Sequence, residues 1–287
     1  MTTGQAGHAP TIAVVGATGQ QGGATADALI EAGAAVRAMV RDTGSQAARE
    51  LRERGAQLAA ADLDQKETLV SAFRGADAVF AMTTFTGPKG TDGEVEYGKA
   101  IGNAARAAGV RRVVYSSVGG AERHTGIPHF ESKRLVEEHL EGLGLATAFV
   151  RPTFFMDNFA RWAPTVEDGE LVVRLPLPAG IPLQMVAARD IGRVAATVLL
   201  HPDRLPGGTV EIAGDELTGE QIAAALGKAE GRNARYEPLP LDILSDNPDA
   251  QAMYSWFAQP PAYQADFRLT RDLDPQVWDF PAWLANR

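Results

Sequence analysis

The feature that most constrains this chain is a rhythm. Short apolar, β-branched runs closed by glycine or an acidic turn alternate with amphipathic stretches from Thr11 to Pro152. Strands are predicted at Thr11–Val15, Ala35–Val40, Gln57–Ala61, Ala78–Met82, Arg112–Ser116 and Ala146–Val150. Helices are predicted between them at Gln20–Ala32, Ser45–Arg54, Lys66–Phe73, Glu94–Ala108 and Phe130–Leu143. Runs this continuously apolar read as strands buried on both faces. Repeated strand–helix alternation implies right-handed crossovers, hence a doubly wound parallel sheet with helices on both faces. Ligands of such sheets sit beyond the carboxyl ends of the strands, so the residues just after each strand are the candidates for function.

Past Pro152 the rhythm breaks, and proline and glycine become dense up to Pro182. Strands are expected at Leu171–Leu175, Leu183–Ala187 and Thr209–Ala213, with helices at Asp190–Leu200 and Thr218–Lys228. A weakly helical stretch covers Asp242–Phe257, and a last turn or helix Pro275–Leu284. The expected division is a flexible tail over 1–10, a dinucleotide-binding domain over 11–153, and a smaller α+β lobe over 154–182 and 216–287. Residues 183–215 are expected to return to the first domain.

With 287 residues, 45% of them hydrophobic, the chain can bury a core without staples. It has no cysteine, which excludes disulfides and thiolate metal sites. The five histidines show no ligand spacing with carboxylates, so no metal is expected. A formal charge of -9 disfavours nucleic acid. Arg111 and Arg112 read as an exposed turn before a strand. Met1–Pro10 lacks a signal-peptide pattern and no run is long enough to span a bilayer, so a cytoplasmic, membrane-free protein is expected.

Between the first strand and first helix stands Gly16-Ala17-Thr18-Gly19-Gln20-Gln21-Gly22, a GxxGxxG spacing. Gly16 permits a tight turn, Gly19 close approach of a pyrophosphate, and Gly22 close helix–strand packing. The helix N-terminus then faces the phosphates. In this context the loop, with Thr18, Gln20 and Gln21, reads as a Rossmann dinucleotide site. After the second strand comes Arg41-Asp42. Arginine there suits a 2′-phosphate and aspartate a 2′-hydroxyl. Arg41 comes first and Arg37 lies behind it, so NADP(H) is preferred and NAD(H) stays possible. The alternative is a surface pair of Arg41 with Asp42 or Asp62. Asp62 and Leu63 are candidates for the adenine, with Asp64 the better helix cap. Thr83 and Thr84 are candidates for ribose or phosphate, or plain turn residues. Thr153, Phe154 and Phe155 should lie near the nicotinamide, with phenylalanine as ring cover or core. Phe85, Met156, Trp162, Met185 and Trp256 are candidates for an apolar pocket.

The segments GATGQQGG (Gly16–Gly23), VRAMVRD (Val36–Asp42), ADLDQKETL (Ala61–Leu69), VVYSS (Val113–Ser117), HFESKRLVEEHL (His129–Leu140) and RPTFFMDNF (Arg151–Phe159) together resemble the NmrA-like family of atypical short-chain dehydrogenases/reductases. The likeness runs from Thr11 to about Leu226. It implies a Rossmann domain preferring NADP(H) and a smaller C-terminal lobe. Relatives include reductases of quinones and small unsaturated carbonyls, regulators that sense the cofactor's redox state through a protein partner, and enzymes that use a lysine without the usual tyrosine.

Related dehydrogenases carry Tyr-x-x-x-Lys on a helix, both side chains on one face. Here the stretch is His129-Phe130-Glu131-Ser132-Lys133: the lysine is present and histidine replaces tyrosine. Lys133 is the candidate ribose ligand, against a solvated helix lysine. His129, placed just before the helix, is either a proton donor or a structural remnant. The accompanying serine falls at Ser116 or Ser117, the former also a cofactor candidate. Two functions follow: an NADPH-dependent oxidoreductase of a small apolar carbonyl or quinone, or a non-catalytic NADP(H) sensor acting through a partner. The oligomeric state stays open between monomer and homodimer.

Overall fold

A computed structural model describes residues 9–161 and 164–287; most of the 1–10 tail, including His8, and also Trp162, lie outside the described residues. The first half runs β1 (Thr11–Val14), α1 (Gln20–Glu31), β2 (Ala35–Val40), α2 (Gln46–Glu53), β3 (Gln57–Ala60), α3 (Lys66–Phe73), β4 (Ala78–Met82), α4 (Gly90–Ala107), β5 (Arg112–Ser116), α5 (Pro128–Glu141) and β6 (Ala146–Pro152). Then follow β7 (Phe154–Phe155), α6 (Asn158–Arg161), β8 (Thr165–Glu167), β9 (Glu170–Leu175), β10 (Pro182–Val186), α7 (Ala188–Leu200), β11 (Thr209–Ile212), β12 (Asp215–Thr218), α8 (Gly219–Glu230), β13 (Ala234–Pro238), α9 (Pro248–Phe257), α10 (Phe267–Leu273) and α11 (Phe280–Asn286).

Seven parallel strands pair in the order β3-β2-β1-β4-β5-β6-β11. The chain winds outward from β1 in one direction and, through β4, in the other. The switch point between β1 and β4 is where such sheets open a crevice. β1 shows why its sequence is apolar throughout. Ile12 and Val14 join a core with Leu29 of α1 and Val194 and Val198 of α7. Ala13 joins the opposite core with Phe73 of α3, Ile101 of α4 and Val136 of α5. Alternating residues of one strand thus feed two layers.

A third core holds the C-terminal lobe together around Phe154, Met156, Met185, Ile222 and Phe280. Two three-stranded sheets frame it, β12-β10-β7 and β13-β9-β8. The expectation for 183–215 needs correction here. α7 and β11 do lie with the large sheet, but β10 pairs with β7 and β12 in the lobe. β11 already occupies the edge beside β6, and Leu183 and Met185 turn into the lobe's core. α7 lies against α1 so closely that a Cβ on Gly192 would stand 2.4 Å from the main chain of Ala24. Two helix starts also differ from the sequence reading. α4 begins at Gly90, a turn early, with Asp92 at its positive end. α5 begins at Pro128, which suits the first helical position, so His129 lies inside the helix. No helix of the described residues is long and apolar enough to cross a membrane.

The lobe's C-terminal segment is tied to α7 by a buried carboxylate. Asp190 accepts from the Trp278 N–H at 2.9 Å and from Arg189 at 2.6 Å, while the Arg189 guanidinium lies 4.1 Å over the Trp278 ring. Burial pushes the Asp190 carboxyl up to about 6, the charge of Asp274 adding to the rise against the pull of Trp278 and Arg189. The folded state therefore binds this proton more tightly than the unfolded chain. On this group, stability is greatest below the ordinary carboxylate range and falls as pH rises from about 4 through about 6. Asp190→Asn should raise the neutral-pH unfolding free energy by up to ~3 kcal/mol, raise the thermal midpoint with it, and flatten that part of the stability–pH curve. Thermal melts across pH 4–8 check this; an Asn variant less stable at pH 7.5 and equally pH-dependent contradicts it.

Candidate active site

After β1 the chain turns through Gly16, at φ +67°, and the Gly19 N–H returns to the Gly16 carbonyl at 2.8 Å. Gly19 is the residue before α1 and supplies no side-chain cap. The first N–H groups of a helix have no acceptor within it. Thr18, Gly19 and Gln20 are exposed, so this uncapped positive end faces solvent. Gly22 is buried, and a Cβ there would stand 2.2 Å from the Gly16 carbonyl oxygen. Only hydrogen fits at Gly22. At Gly19 the same Cβ would lie 3.3 Å from that oxygen, with its outer side open. The loop thus leaves open space beside an uncapped helix N-terminus, the geometry that suits an anionic group.

Past β2, Arg41 is exposed and has no hydrogen-bond or ion-pair partner among the described residues. Asp42 instead accepts the Gly44 N–H in a local turn. Arg37 departs from expectation. Its guanidinium donates to the carbonyls of Ala72 and Arg74, at 2.9 and 2.8 Å, where α3 ends. It lies early in β2, paired in register with Ala13 and Gln57, and points away from the carboxyl edge. Asp62 accepts the Asp64 N–H, and Leu63 packs half-buried against the α3–α4 core. Asp64 does not cap α3, whose preceding residue is Gln65; it accepts from Lys89 and Tyr97.

Beyond β4, β5 and β6 opens a cleft of about 440 Å³. Gln20 and Gln21 form one end, and Met82, Phe85, Val118, Phe154, Phe155 and Met253 supply apolar wall. On its floor Lys133, 8% exposed, is no solvated lysine. Its Nζ lies 2.9 Å from Oε1 of Glu94 and 3.1 Å from the Thr83 carbonyl. Glu94 is fully buried; its Oε2 accepts from Ser132 at 2.5 Å and its Oε1 from Thr83 at 3.2 Å. The Thr83 hydroxyl is also 2.8 Å from the Tyr115 hydroxyl. Burial alone would push the Lys133 ammonium down, but Tyr115 and Glu94 outweigh it and hold the group above its ordinary value. Burial pushes the Tyr115 phenol up. Lys133 is therefore a cation at neutral pH, with its charge balanced beside it.

His129 is 9% exposed and borders the same cleft. Its Nδ1 is 2.6 Å from Asp249 Oδ2, and its main-chain N–H donates to Asp249 Oδ1 at 2.9 Å. Phe85 stacks on the imidazole at 4.6 Å. Nε2 has no partner among the described residues. Ser117 Oγ is buried and without a hydrogen bond, and its residue borders the cleft. Ser116 instead donates to Gln21 at 2.5 Å, joining the end of β5 to the start of α1.

Other candidates serve the frame. Thr83 faces inward into the Glu94–Tyr115 network, and Thr84 bonds Thr86 in a turn. The Thr153 hydroxyl donates to the Ile212 carbonyl at the cleft's edge. Phe154 is both wall and core, packing on Phe159 and Phe257. Met156 and Met185 are wholly core, and Trp256 packs edge-on to Phe130 and Tyr263. Sequence reasoning missed Glu94 and Asp249. Glu94 carried a signal, since Glu94, Gly98, Ile101 and Ala105 form one stripe of α4 and the other three are small or apolar. Asp249, 120 residues from His129, carried none.

The chain matches the NmrA-like family over residues 8–275. It is 34% identical over 232 residues to the NAD(P)H azoreductase of Xenophilus azovorans, covering 80% of this chain and 78% of that one. It is 31% identical over 233 residues to the (4-alkanoyl-5-oxo-2,5-dihydrofuran-3-yl)methyl phosphate reductase of Streptomyces griseus, covering 80% and 78%. Among solved structures, the Citrobacter sp. triphenylmethane reductase complexed with NADP(H) superposes with a TM-score of 0.79 at 21% identity, over 97% of this chain and 99% of that one. NmrA, a negative transcriptional regulator, in complex with NADP gives 0.79 at 22%, over 97% and 95%. The last two likenesses concern the fold; with the family match over nearly the whole length, they place a doubly wound sheet and its lobe in a known setting, and this chain belongs to the NmrA-like family.

Proposed function

We propose that this chain is an NADPH-dependent reductase of small, uncharged, apolar carbonyl compounds or quinones. The observation that carries the reading is convergence. The uncapped end of α1, the buried Lys133, the unpartnered Ser117 hydroxyl and the His129 ring all border one apolar-walled cleft at the carboxyl edge of the sheet. The residues present fit a dinucleotide. The Gly16–Gly22 loop would hold the pyrophosphate, Arg41 the 2′-phosphate, Asp62 and Leu63 the adenine, and Lys133 the nicotinamide ribose. When bound, the cofactor supplies a hydride. Relatives named as an NAD(P)H azoreductase and a (4-alkanoyl-5-oxo-2,5-dihydrofuran-3-yl)methyl phosphate reductase support reductase chemistry.

The chain's own residues do the rest. Phe85, Phe155 and Met253 exclude water from the acceptor. Ser117 donates its free hydroxyl to the acceptor oxygen and orients it. His129 delivers a proton from Nε2 to that oxygen as negative charge develops. Glu94 neutralises Lys133, so the floor offers no net positive charge to an anionic acceptor, which favours uncharged ones. A panel of quinones and enones, followed by NADPH consumption, tests the reading. Absence of turnover above background, with NADPH still bound, would leave the redox-sensor role in its place.

The loop predicts a contrast between two glycines. Gly19→Val should fold normally and lose NADPH binding, because its side chain fills the cradle. Gly22→Val should fail to fold, because no Cβ fits against Gly16. Thermal melts and calorimetry on both variants check this, and a Gly19→Val protein that binds NADPH normally refutes the cradle.

Arg41 stakes a charge-assisted interaction of ~1.5–3 kcal/mol on the 2′-phosphate. Arg41→Ala should weaken NADPH binding by roughly 10- to 100-fold and leave NADH nearly unchanged. Equal losses for both cofactors would remove Arg41 from the site.

For the chemical step, the donor must be protonated, so kcat should fall toward high pH. His129→Ala should abolish that dependence and lower kcat by ~10²–10⁴-fold with NADPH affinity unchanged. Lys133→Ala should reduce cofactor affinity and turnover together. It also strands the buried Glu94 carboxylate and should destabilise the fold by ~3–5 kcal/mol. Lys133→Met with Glu94→Gln removes that penalty and isolates the ribose contact. Turnover surviving His129→Ala but not loss of Lys133 would transfer the proton role to the lysine.

A further inference from the structure

We infer that Asp249, contributed by the C-terminal lobe, is a positioning residue for His129: it fixes the ring as the Nδ1–H tautomer and leaves Nε2 to face the cleft. The catalytic consequence rests on the reductase reading above; the tautomer does not.

The geometry is a two-point clamp. Both oxygens of one carboxylate engage one residue, Oδ1 its main-chain N–H at 2.9 Å and Oδ2 its ring Nδ1 at 2.6 Å. Asp249 stands in the first turn of α9 and meets the first turn of α5, so two helix N-termini present their free N–H groups to its carboxylate. An ionised carboxylate only accepts, hence Nδ1 must donate. The bond made by one ring nitrogen sets the state of the other. The neutral ring then carries its lone pair on Nε2, and a proton taken up by the ring resides there, toward the cleft. Rotation is blocked by Phe85 stacked at 4.6 Å and by Phe130 edge-on at 4.7 Å. Ser117 Oγ is the sole fully buried side-chain polar atom without a partner among the described residues. The unpartnered Nε2 is therefore reached from the cleft that His129 borders. The other ionisable groups on that cleft are Lys133 from α5 itself, Glu94 from α4 and Tyr263 from the segment after α9. Lys133 and Glu94 neutralise one another, which leaves Asp249 as the carboxylate acting on the ring.

The clamp makes Asp249→Asn a sharp test. The main-chain N–H of His129 holds the amide oxygen, which turns the amide NH₂ toward Nδ1. A donor there forces the lone pair onto Nδ1 and the proton onto Nε2. Nitrogen-15 NMR of the histidine rings in the full chain, at a pH where they are neutral, should show the Nδ1–H tautomer for His129 in the wild type and the Nε2–H tautomer in Asp249→Asn. His129→Gln assigns the signal. With NADPH and menadione as probes, kcat should fall by roughly 10²- to 10⁴-fold in Asp249→Asn, the worth of a general acid, because an amide donor facing Nδ1 opposes the doubly protonated ring that gives up its Nε2 proton, while the NADPH dissociation constant stays within about threefold. A purely structural contact would move stability without inverting the tautomer. An Nε2–H tautomer in the wild type, an unchanged tautomer in the variant, or an inverted tautomer with full turnover would each overturn the inference. If the tautomers invert but the wild type reduces none of the acceptors, the reductase reading fails and the hold of Asp249 on His129 stands.

Discussion

The buried pair of Glu94 and Lys133 is the interaction on which the site's construction depends. Two unit charges taken out of water cost several kcal/mol each unless their remaining lone pairs and protons are also satisfied. Here they are: Ser132 and Thr83 donate to the carboxylate, and the Thr83 carbonyl accepts from the ammonium. Loss of either partner leaves the other uncompensated, so the pair constrains α4, α5 and the end of β4 as a unit. The helices meet closely enough for this because glycine stands where α4 crosses α5. A Cβ on Gly98 would lie 2.4 Å from Val136, and one on Gly102 2.6 Å from Leu140.

α5 then acts as the beam of the site. His129, Lys133 and Glu137 recur every four residues, lie on one face, and are all buried. Each is tied to a different element. His129 meets α9 of the lobe through Asp249, Lys133 meets α4 and β4, and Glu137 receives two bonds from Arg151 of β6, at 2.9 and 2.7 Å. A polar stripe thus runs along the buried side of α5 beside the core residues Phe130, Val136 and Leu140, and each of its three side chains is tied to a partner. Polar networks of this kind tolerate little displacement, because a half-satisfied member costs more than an apolar one. The same helix thus joins the C-terminal lobe to the catalytic candidates.

The sheet was legible because its central strands are buried on both faces and their apolar runs stand out against polar helices. The glycine loop was legible because Gly16, Gly19 and Gly22 each answer a separate steric demand. Arg37 misled because its spacing from Arg41 looked favourable; four residues along a strand is far along its length, and the side chain met the end of α3 instead. His129 and Asp249 illustrate the other limit. His129 was visible by its offset from Lys133, but its partner lies in a lobe whose helices show weak periodicity, and a carboxylate in the first turn of a helix reads as an ordinary dipole partner. Glu94 lay between these extremes. Its place on an apolar stripe was readable once α4 began at Gly90, a start hidden by the glycines at 90 and 93.

Electrostatics divide the ligand-binding surface into two regimes. The chain carries a formal charge of -9, which opposes any polyanionic ligand at long range. A local cation must offset this where phosphate is to be held, and Arg41 is exposed at the carboxyl end of β2 with no acidic partner to neutralise it. The uncapped N-terminus of α1 adds a second positive pole without adding a titratable group. Inside the cleft the arrangement reverses. Both basic side chains that border it come with a carboxylate, Lys133 with Glu94 and His129 with Asp249. The proposed phosphate contacts thereby lie at the outer edge, and the inner cleft presents apolar walls with a few oriented donors. A neutral ring system enters such a space at little electrostatic penalty, whereas an anion finds no unpaired charge to replace its lost hydration. The uncharged acceptors proposed for this cleft thus suit the same pairing that lets Lys133 be buried at all.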